Sequence, residues 1–190
     1  MGRTIIFVYG VISYLIFLVA CLYSIGFVGN MVVPKSIDSG PEGPLGLSLV
    51  INVVLLGMFA LQHSVMARPV FKSWWRIVIP QPIERSTYVL LSSLLLFLLF
   101  WQWRPILNIV WIVRNPIGLK MLLGLYWIGW LVVILSTFMI NHFDFFGLRQ
   151  VYLYLRREHY TDIGFKTPVL YKYVRHPIML GFIGSSPLRI

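Results

Sequence analysis

The stretch that decides the fold is STYVLLSSLLLFLLFWQW, residues 86–103. It consists almost entirely of leucine, serine and aromatic residues, and no charged residue falls between Arg85 and Arg104. A helix that crosses the hydrocarbon core of a bilayer needs roughly 20 consecutive, predominantly apolar residues. Backbone amides cannot stay unpaired in hydrocarbon, so a run of this kind is predicted to be a membrane-spanning helix.

Three further windows of the chain are equally free of charge. They lie between Arg3 and Lys35, between Glu42 and Arg68, and between Lys120 and Asp144. A fifth apolar segment starts near Pro177 and is cut short. The sequence therefore predicts an all-α fold, a polytopic integral membrane helical bundle with four full spans and the start of a fifth. The predicted spans cover residues 5–28, 45–66, 87–103 and 119–140.

The composition of the 190-residue chain supports lipid as its solvent. Hydrophobic residues make up 58% and charged residues 12%, which is more apolar surface than a soluble domain of this size can cover. No repeat or low-complexity tract divides the chain, so residues 1–190 are predicted to form a single transmembrane domain. The lipid bilayer is its predicted partner, and the sequence leaves both a monomer and an oligomer open.

The net charge of +10 comes from basic residues spread over short loops. Such residues indicate topology signals and contacts with lipid head groups, and they argue against a nucleic-acid partner. The second connection carries Arg68, Lys72, Arg76 and Arg85 against Glu84, whereas the first has Lys35 against Asp38 and Glu42. The positive-inside rule then places the N-terminus, the second and the fourth connections in the cytoplasm.

Polar side chains at the ends of two spans mark the candidate site. The second span ends with Gln62 and His63, and the fourth ends with Asn141 and His142, followed by Asp144. For any one of them, a helix end bonded to water or head groups is the simpler interpretation. The larger set favours a polar pocket at one depth of the membrane, and it also includes Glu84, Arg85, Arg175 and His176.

A metal site is not predicted. One cysteine excludes a thiolate cluster, and the four histidines have too few acidic neighbours for a di-iron carboxylate site. His63 and His142, which lie on different spans, could ligate a haem as bis-histidine membrane cytochromes do. This haem-binding protein is the alternative hypothesis, and an inactive membrane fragment is a third.

A motif near the C-terminal end of the sequence is LYKYVRHPIMLG, residues 170–181. Pro177 suits the first turn of a helix, where unpaired N–H groups can hold an anion or a carbonyl. Arg175 offers a forked partner for a carboxylate, and Tyr171 and Tyr173 can stack on a flat ring or face a cation. These features suit S-adenosylmethionine, which has a carboxylate, an adenine and a sulfonium.

In context, this stretch resembles the R-H-P-x-Y-x-G motif of the isoprenylcysteine and phospholipid methyltransferase superfamily. The segments 61–75, 84–105 and 136–151 resemble the bacterial methanethiol S-methyltransferases and the related NnrU membrane proteins. The resemblance implies a membrane enzyme that uses S-adenosylmethionine to methylate a small thiol, turning methanethiol into dimethyl sulfide. It places Arg175, His176, Pro177 and Gly181 on the cofactor-binding stretch.

Roles follow for the polar residues at the span ends. His142 or His63 is predicted to act as a base or to orient the thiol, and Gln62 and Asn141 are predicted to contact the substrate. Two departures from the family are visible: Met179 stands where the motif often has tyrosine, and GSSPLRI (184–190) replaces a further span and tail. We therefore expect a C-terminally truncated form whose activity is doubtful.

Overall fold

The structure of the chain is a computed structural model, and it describes residues 2–106, 113, 115–161, 171, 174 and 176–185. In these ranges all regular secondary structure is helical and no strand is present. The helices are α1 (Arg3–Gly29), α2 (Leu45–Ala67), α3 (Pro69–Val78), α4 (Gln81–Gln102), α5 (Pro116–Ile140), α6 (His142–Phe145), α7 (Leu148–Arg156) and α8 (Pro177–Gly184).

Four of these helices, α1, α2, α4 and α5, are long and apolar enough to cross a membrane. The prediction of an all-α membrane bundle with four spans is confirmed, and α8 begins at the predicted Pro177. The third span begins at Gln81 rather than at residue 87. Its first turns include Glu84 and Arg85, whose charges are paired with Arg76 and Asp144 and therefore do not end the helix.

The spans α1, α2 and α4 pack together, with α4 in contact with both of the others. One apolar cluster consists of Phe27 of α1, Leu55 of α2, and Leu99 and Phe100 of α4. At the other end of the bundle, Ile6 packs with Ile83 and Val151. We call the end where α1 begins the amino-terminal face. α1 and α4 both begin at this face, and α2 ends there.

The connections at the amino-terminal face contain three short helices, α3, α6 and α7, where the sequence predicts loops. α3 is amphipathic and exposes Val70 and Ile77, each 81% accessible. α7 folds back onto α1, where the fully buried Val151 packs on Gly10. A Cβ on Gly10 would lie 2.5 Å from Val151 Cγ2, so this contact needs glycine. The apolar stretch PILNIVWIV (105–113) could by its sequence form an interfacial helix, and most of it lies outside the described residues.

Helix α8 packs closely on α5. Gly181 lies against Gly129 and Val133, and Gly184 lies against Leu125 and Gly129. Positions later in α8 therefore meet positions earlier in α5, so the two helices are antiparallel. Since α8 starts at Pro177, its first turn lies at the level of the last turns of α5, close to the amino-terminal face.

Candidate functional site

His142 is the centre of the best-defined polar cluster at this face. His142 is the first residue of α6, just after the end of α5, and only 8% of its surface is exposed. Its Nε2 lies 2.7 Å from the Tyr14 hydroxyl of α1, and its Nδ1 lies 2.8 Å from Thr137 Oγ1 of α5. The imidazole thus joins two spans through both of its ring nitrogens.

Aromatic rings surround this imidazole. Phe138 stacks on it with centroids 4.3 Å apart and an interplanar angle of 8°, and Phe146 and Phe143 contact its edges at 4.8 and 5.5 Å. Burial among these rings lowers the pKa of His142 below its usual value, because a charged imidazolium would lose its hydration. The ring is therefore held in its neutral form near pH 7, which is the form that accepts a proton.

The chain turns sharply at Asn141, whose φ is 85°. The side chain of Asn141 accepts a hydrogen bond from the Asp144 N–H at 3.3 Å and so caps α6. This cap fixes the direction in which His142 leaves α5. Asn141 was predicted to contact the substrate, and the contact that the structure gives its side chain is this cap.

Asp144 holds the next part of the site together. Its carboxylate accepts from Arg149 at 3.1 Å, lies 3.6 Å from Arg85, and accepts from Gln150 and Tyr160, both at 3.3 Å. Asp144 is 8% exposed, so these partners replace most of its hydration. The network ties the start of α4 to α7 through Asp144, which follows His142 by two residues.

Gln62 and His63 belong to a second polar cluster at the same face. Gln62 Oε1 accepts from Ser92 at 3.1 Å, and the Tyr88 hydroxyl lies 2.7 Å from His63 Nδ1. The His63 ring also stacks on Phe59, with centroids 5.6 Å apart. Within the described residues, His63 and His142 therefore have separate sets of partners: those of His63 lie on α2 and α4, and the hydrogen-bond partners of His142 lie on α1 and α5.

The predicted cofactor-binding stretch is described in part. Tyr173 and Arg175 lie outside the described residues. His176 is the exposed residue before α8, while Pro177 and Gly181 are buried. Gly181 packs against α5, where a Cβ would lie 2.7 Å from the Gly129 carbonyl oxygen. This packing fixes the first turn of α8 beside the α5 end that carries Thr137.

A cleft of about 480 Å³ opens at the amino-terminal face between α3, α4 and α7. Its walls include Lys72 and Arg76 of α3, Arg85 of α4, and Gln150 and Tyr154 of α7. Glu84 and Glu158 also line the cleft, and Glu84 pairs with Arg76 at 2.6 Å, so its mouth carries charges of both signs.

Sequence reasoning missed Tyr14 and Thr137, the two hydroxyl partners of His142. Tyr14 stands inside the apolar first window, and a tyrosine there resembles the aromatic residues that pack in any membrane helix. Thr137 lies five positions before His142, which is not a same-face spacing on one continuous helix. The turn at Asn141 brings Thr137 and His142 together, and the local sequence does not predict that turn.

Comparison with known proteins gave close relatives. The chain is 57% identical over 183 residues to methanethiol S-methyltransferase of Mycobacterium tuberculosis, a match that covers 96% of this chain and 75% of that protein. It is 54% identical over 182 residues to methanethiol S-methyltransferase of Crocosphaera subtropica, covering 96% and 71%. The chain belongs to the methanethiol S-methyltransferase family. The resemblance drawn from the sequence is thereby confirmed.

More distant similarity extends beyond this family. A nurim homologue of Drosophila pseudoobscura is 28% identical over 166 residues, covering 82% of this chain and 62% of that protein. Comparison with protein-family models gave no match, and no solved structure matched either. The chain is therefore a membrane methyltransferase, since it belongs to this family and its described residues include four helices that are long and apolar enough to cross a membrane. The haem alternative gains no support, because both nitrogens of His142 are already hydrogen-bonded.

Proposed function

We propose that the chain transfers a methyl group from S-adenosylmethionine to methanethiol and releases dimethyl sulfide. The observation that carries this proposal is the 57% identity to a methanethiol S-methyltransferase along 96% of the chain. The site supports it as well, because the imidazole of His142 is buried among aromatic rings and bonds Thr137, one helical turn after the Val133 that packs on α8. A small uncharged thiol fits apolar surroundings of this kind.

The residues present suit S-adenosylmethionine. The first turn of α8 offers backbone N–H groups, and the His176 ring, free of a capping bond within the described residues, stands beside them. Phe138 and Phe143, exposed by 55% and 53%, offer aromatic faces to a cationic sulfonium. Tyr173, Arg175, Pro177 and Gly181 are proposed to complete this binding stretch. When bound, S-adenosylmethionine supplies an activated methyl group.

The protein then has to orient the thiol and accept its proton. We assign the proton to His142, whose neutral form is favoured by burial. Asn141 is proposed to contact the substrate at the turn between α5 and α6. Gln62 and His63 are proposed to approach it from the cluster on α2, with His63 as an orienting group.

The charges of the bundle support one orientation in the membrane. The amino-terminal face carries Arg3, Arg68, Lys72, Arg76, Arg85, Arg149, Arg156 and Arg157 against Glu84, Asp144 and Glu158. We propose that this basic face lies in the cytoplasm of a bacterial cell, with the bundle in the inner membrane. S-adenosylmethionine, a cytoplasmic metabolite, would then reach α8 directly. The lipid bilayer is the proposed partner, and none of this requires a nucleic acid.

The experiment is a methyl-transfer assay in membranes of a bacterial host that makes no dimethyl sulfide. Membranes with the chain receive methanethiol and S-adenosylmethionine with a labelled methyl group, and labelled dimethyl sulfide is measured in the headspace. The proposal requires product from the native chain, whose activity the sequence alone left in doubt, and it predicts a loss of about 100-fold or more for His142→Ala. His159→Ala, a change at an exposed histidine, is the matched control and should keep the native rate. Absence of labelled product from the well-folded native chain would contradict the proposal.

A further inference from the structure

The hydrogen bonds of Thr137 fix the tautomer of His142. The Thr137 hydroxyl donates to the Ile134 carbonyl oxygen at 2.7 Å, and its single proton is used there. The contact of the same oxygen with His142 Nδ1, at 2.8 Å, must then be an N–H donated by the ring. The neutral imidazole therefore carries its proton on Nδ1 and keeps a lone pair on Nε2.

That lone pair is not open to a substrate. Tyr14 Oη lies 2.7 Å from Nε2, and with Nε2 unprotonated the tyrosine donates its hydroxyl proton to it. Both nitrogens of the imidazole are then engaged inside the protein, in a residue that is 8% exposed. The Tyr14 oxygen, in contrast, keeps acceptor capacity, and its side chain is only partly buried.

We propose that Tyr14 is the catalytic residue that contacts the thiol, with His142 as the proton acceptor behind it and Thr137 as the positioning residue that fixes the tautomer. This inference rests on the proposed thiol methylation. The thiol S–H proton passes to the Tyr14 oxygen while the Tyr14 proton passes to His142 Nε2. The thiol sulfur forms its new bond to the methyl carbon as the bond between that carbon and the sulfonium sulfur breaks, and the electron pair of the broken bond stays on the sulfur of the departing S-adenosylhomocysteine. After release of both products, the imidazolium returns its extra proton through Tyr14 to water.

The charge balance of this step suits an apolar site. The positive charge lost from the sulfonium reappears on the imidazolium, so no net charge is created or removed where the dielectric constant is low. The new cation lies in parallel contact with the face of Phe138, at a centroid distance of 4.3 Å, which stabilises it. The Thr137 oxygen and the Tyr14 oxygen accept its two N–H bonds.

The first test is Tyr14→Phe, which removes the hydroxyl and keeps the ring packed on Phe17 and Phe146. We expect kcat to fall by about 100-fold or more, with the affinity for S-adenosylmethionine unchanged. Tyr9→Phe is the matched control, because Tyr9 lies on the same helix and its hydroxyl bonds Thr87 at 2.9 Å. It should keep kcat within about twofold of the native value. Native kcat in Tyr14→Phe, with an active native chain, would overturn the relay.

The second test does not depend on turnover. The ¹⁵N NMR spectrum of histidine-labelled protein in lipid nanodiscs should show His142, assigned by the loss of its signal in His142→Ala, as the Nδ1–H tautomer. In Thr137→Val this preference should be lost and kcat should fall, while Thr137→Ser should restore both. An Nε2–H tautomer in the native protein would overturn the inference even if methylation is observed. If methylation fails but the Nδ1–H tautomer is found, the proposed function fails and the hydrogen-bond assignment stands.

Discussion

Gly129 of α5 and Gly181 of α8 lie face to face, and each occupies the space that a side chain on the other would need. A Cβ on Gly129 would lie 2.6 Å from the Gly181 carbonyl oxygen, and a Cβ on Gly181 would lie 2.7 Å from that of Gly129. The obstructing atoms belong to the backbone, so the two helices would have to separate to admit even a methyl group. This contact sets the distance between the proposed cofactor helix and the span that carries Thr137.

Gly181→Ala should therefore weaken the attachment of α8. Overpacking of this kind costs about 1–3 kcal/mol, since backbone atoms cannot rotate away as a side chain can. Gly124→Ala on α5 is the matched control, because the described residues leave its Cβ position open to 4 Å. Thermal unfolding in detergent should show a lower Tm for Gly181→Ala and an unchanged or higher Tm for Gly124→Ala. Equal Tm values would show that α8 does not depend on this contact.

Asp144→Asn should destabilise the junction of α4 and α7. The change removes the negative charge that lies within 3.6 Å of Arg85 and 3.1 Å of Arg149. Loss of hydrogen bonds to a mostly buried charged group is expected to cost about 2–3 kcal/mol of unfolding free energy. Denaturant unfolding in mixed micelles measures it.

The control for this change is Glu158→Gln. Glu158 pairs with Arg156 at 3.7 Å, and both side chains are more than half exposed. An exposed pair contributes at most about 1 kcal/mol, so the unfolding free energy should hardly change. If both variants lose the same unfolding free energy, the Asp144 network contributes no more to stability than an exposed ion pair.

Asn52→Leu should loosen the opposite end of the bundle. Asn52 is 4% exposed on α2, donates to the Arg104 carbonyl oxygen at 2.7 Å and accepts from the Arg104 N–H at 3.0 Å. Leucine leaves both backbone groups without these partners, at a cost of about 1–3 kcal/mol for a buried group. Val53→Leu, at a neighbouring position that is 64% exposed, should leave the Tm unchanged. A native Tm in Asn52→Leu would mean that water takes over the hydrogen bonds to the backbone N–H and carbonyl oxygen of Arg104.

The acid limb of the activity profile should lie below pH 6.5. The groups that contact the imidazole are the titratable Tyr14 from α1, Thr137 and Phe138 from α5, and the aromatic residues that follow His142. Burial lowers the pKa of His142 from its ordinary value of 6.5. The neutral base is therefore fully present above that value, and activity is lost only as the pH falls towards the lowered pKa.

The stability of the fold, like the activity, should decrease as the pH falls below 6.5. The unfolded chain binds a proton at His142 near pH 6.5, before the folded chain does, so the contribution of this residue to stability decreases as the pH falls below that value. The rate of dimethyl sulfide formation and the Tm, measured over the same pH series, check both statements. His159→Gln, at an exposed position, should leave both curves in place. An acid limb with its midpoint above pH 6.5 would contradict the assignment to a buried His142.

The four spans could be predicted because each is a long run without charge, and lipid leaves such a run no other structure. The short helices could not. α7 depends on tertiary contacts such as that of Val151 with Gly10, and its sequence, rich in arginine and tyrosine, is equally compatible with a polar loop. The start of α4 was placed too late because Glu84 and Arg85 look like the end of a membrane segment until their partners are known.

The candidate site could be predicted in the same partial way. Residues at span ends follow from the spans, so Gln62, His63 and His142 were assigned to one face. Their division into two clusters depends on which neighbouring helices their side chains contact, and that depends on how each helix is rotated about its axis. Tyr14 was missed because its role comes from a residue far away in the sequence, across the turn at Asn141.

The absence of a side chain at Gly10 leaves a notch in the surface of α1, and this notch has a consequence for biosynthesis. Val151, which fills it, belongs to α7, and the chain must produce three further spans before that residue leaves the ribosome. During this interval the newly inserted α1 presents its glycine notch to lipid or to the insertion machinery. The first span therefore acquires its final neighbour late, and assembly of the bundle is completed well after its insertion has begun.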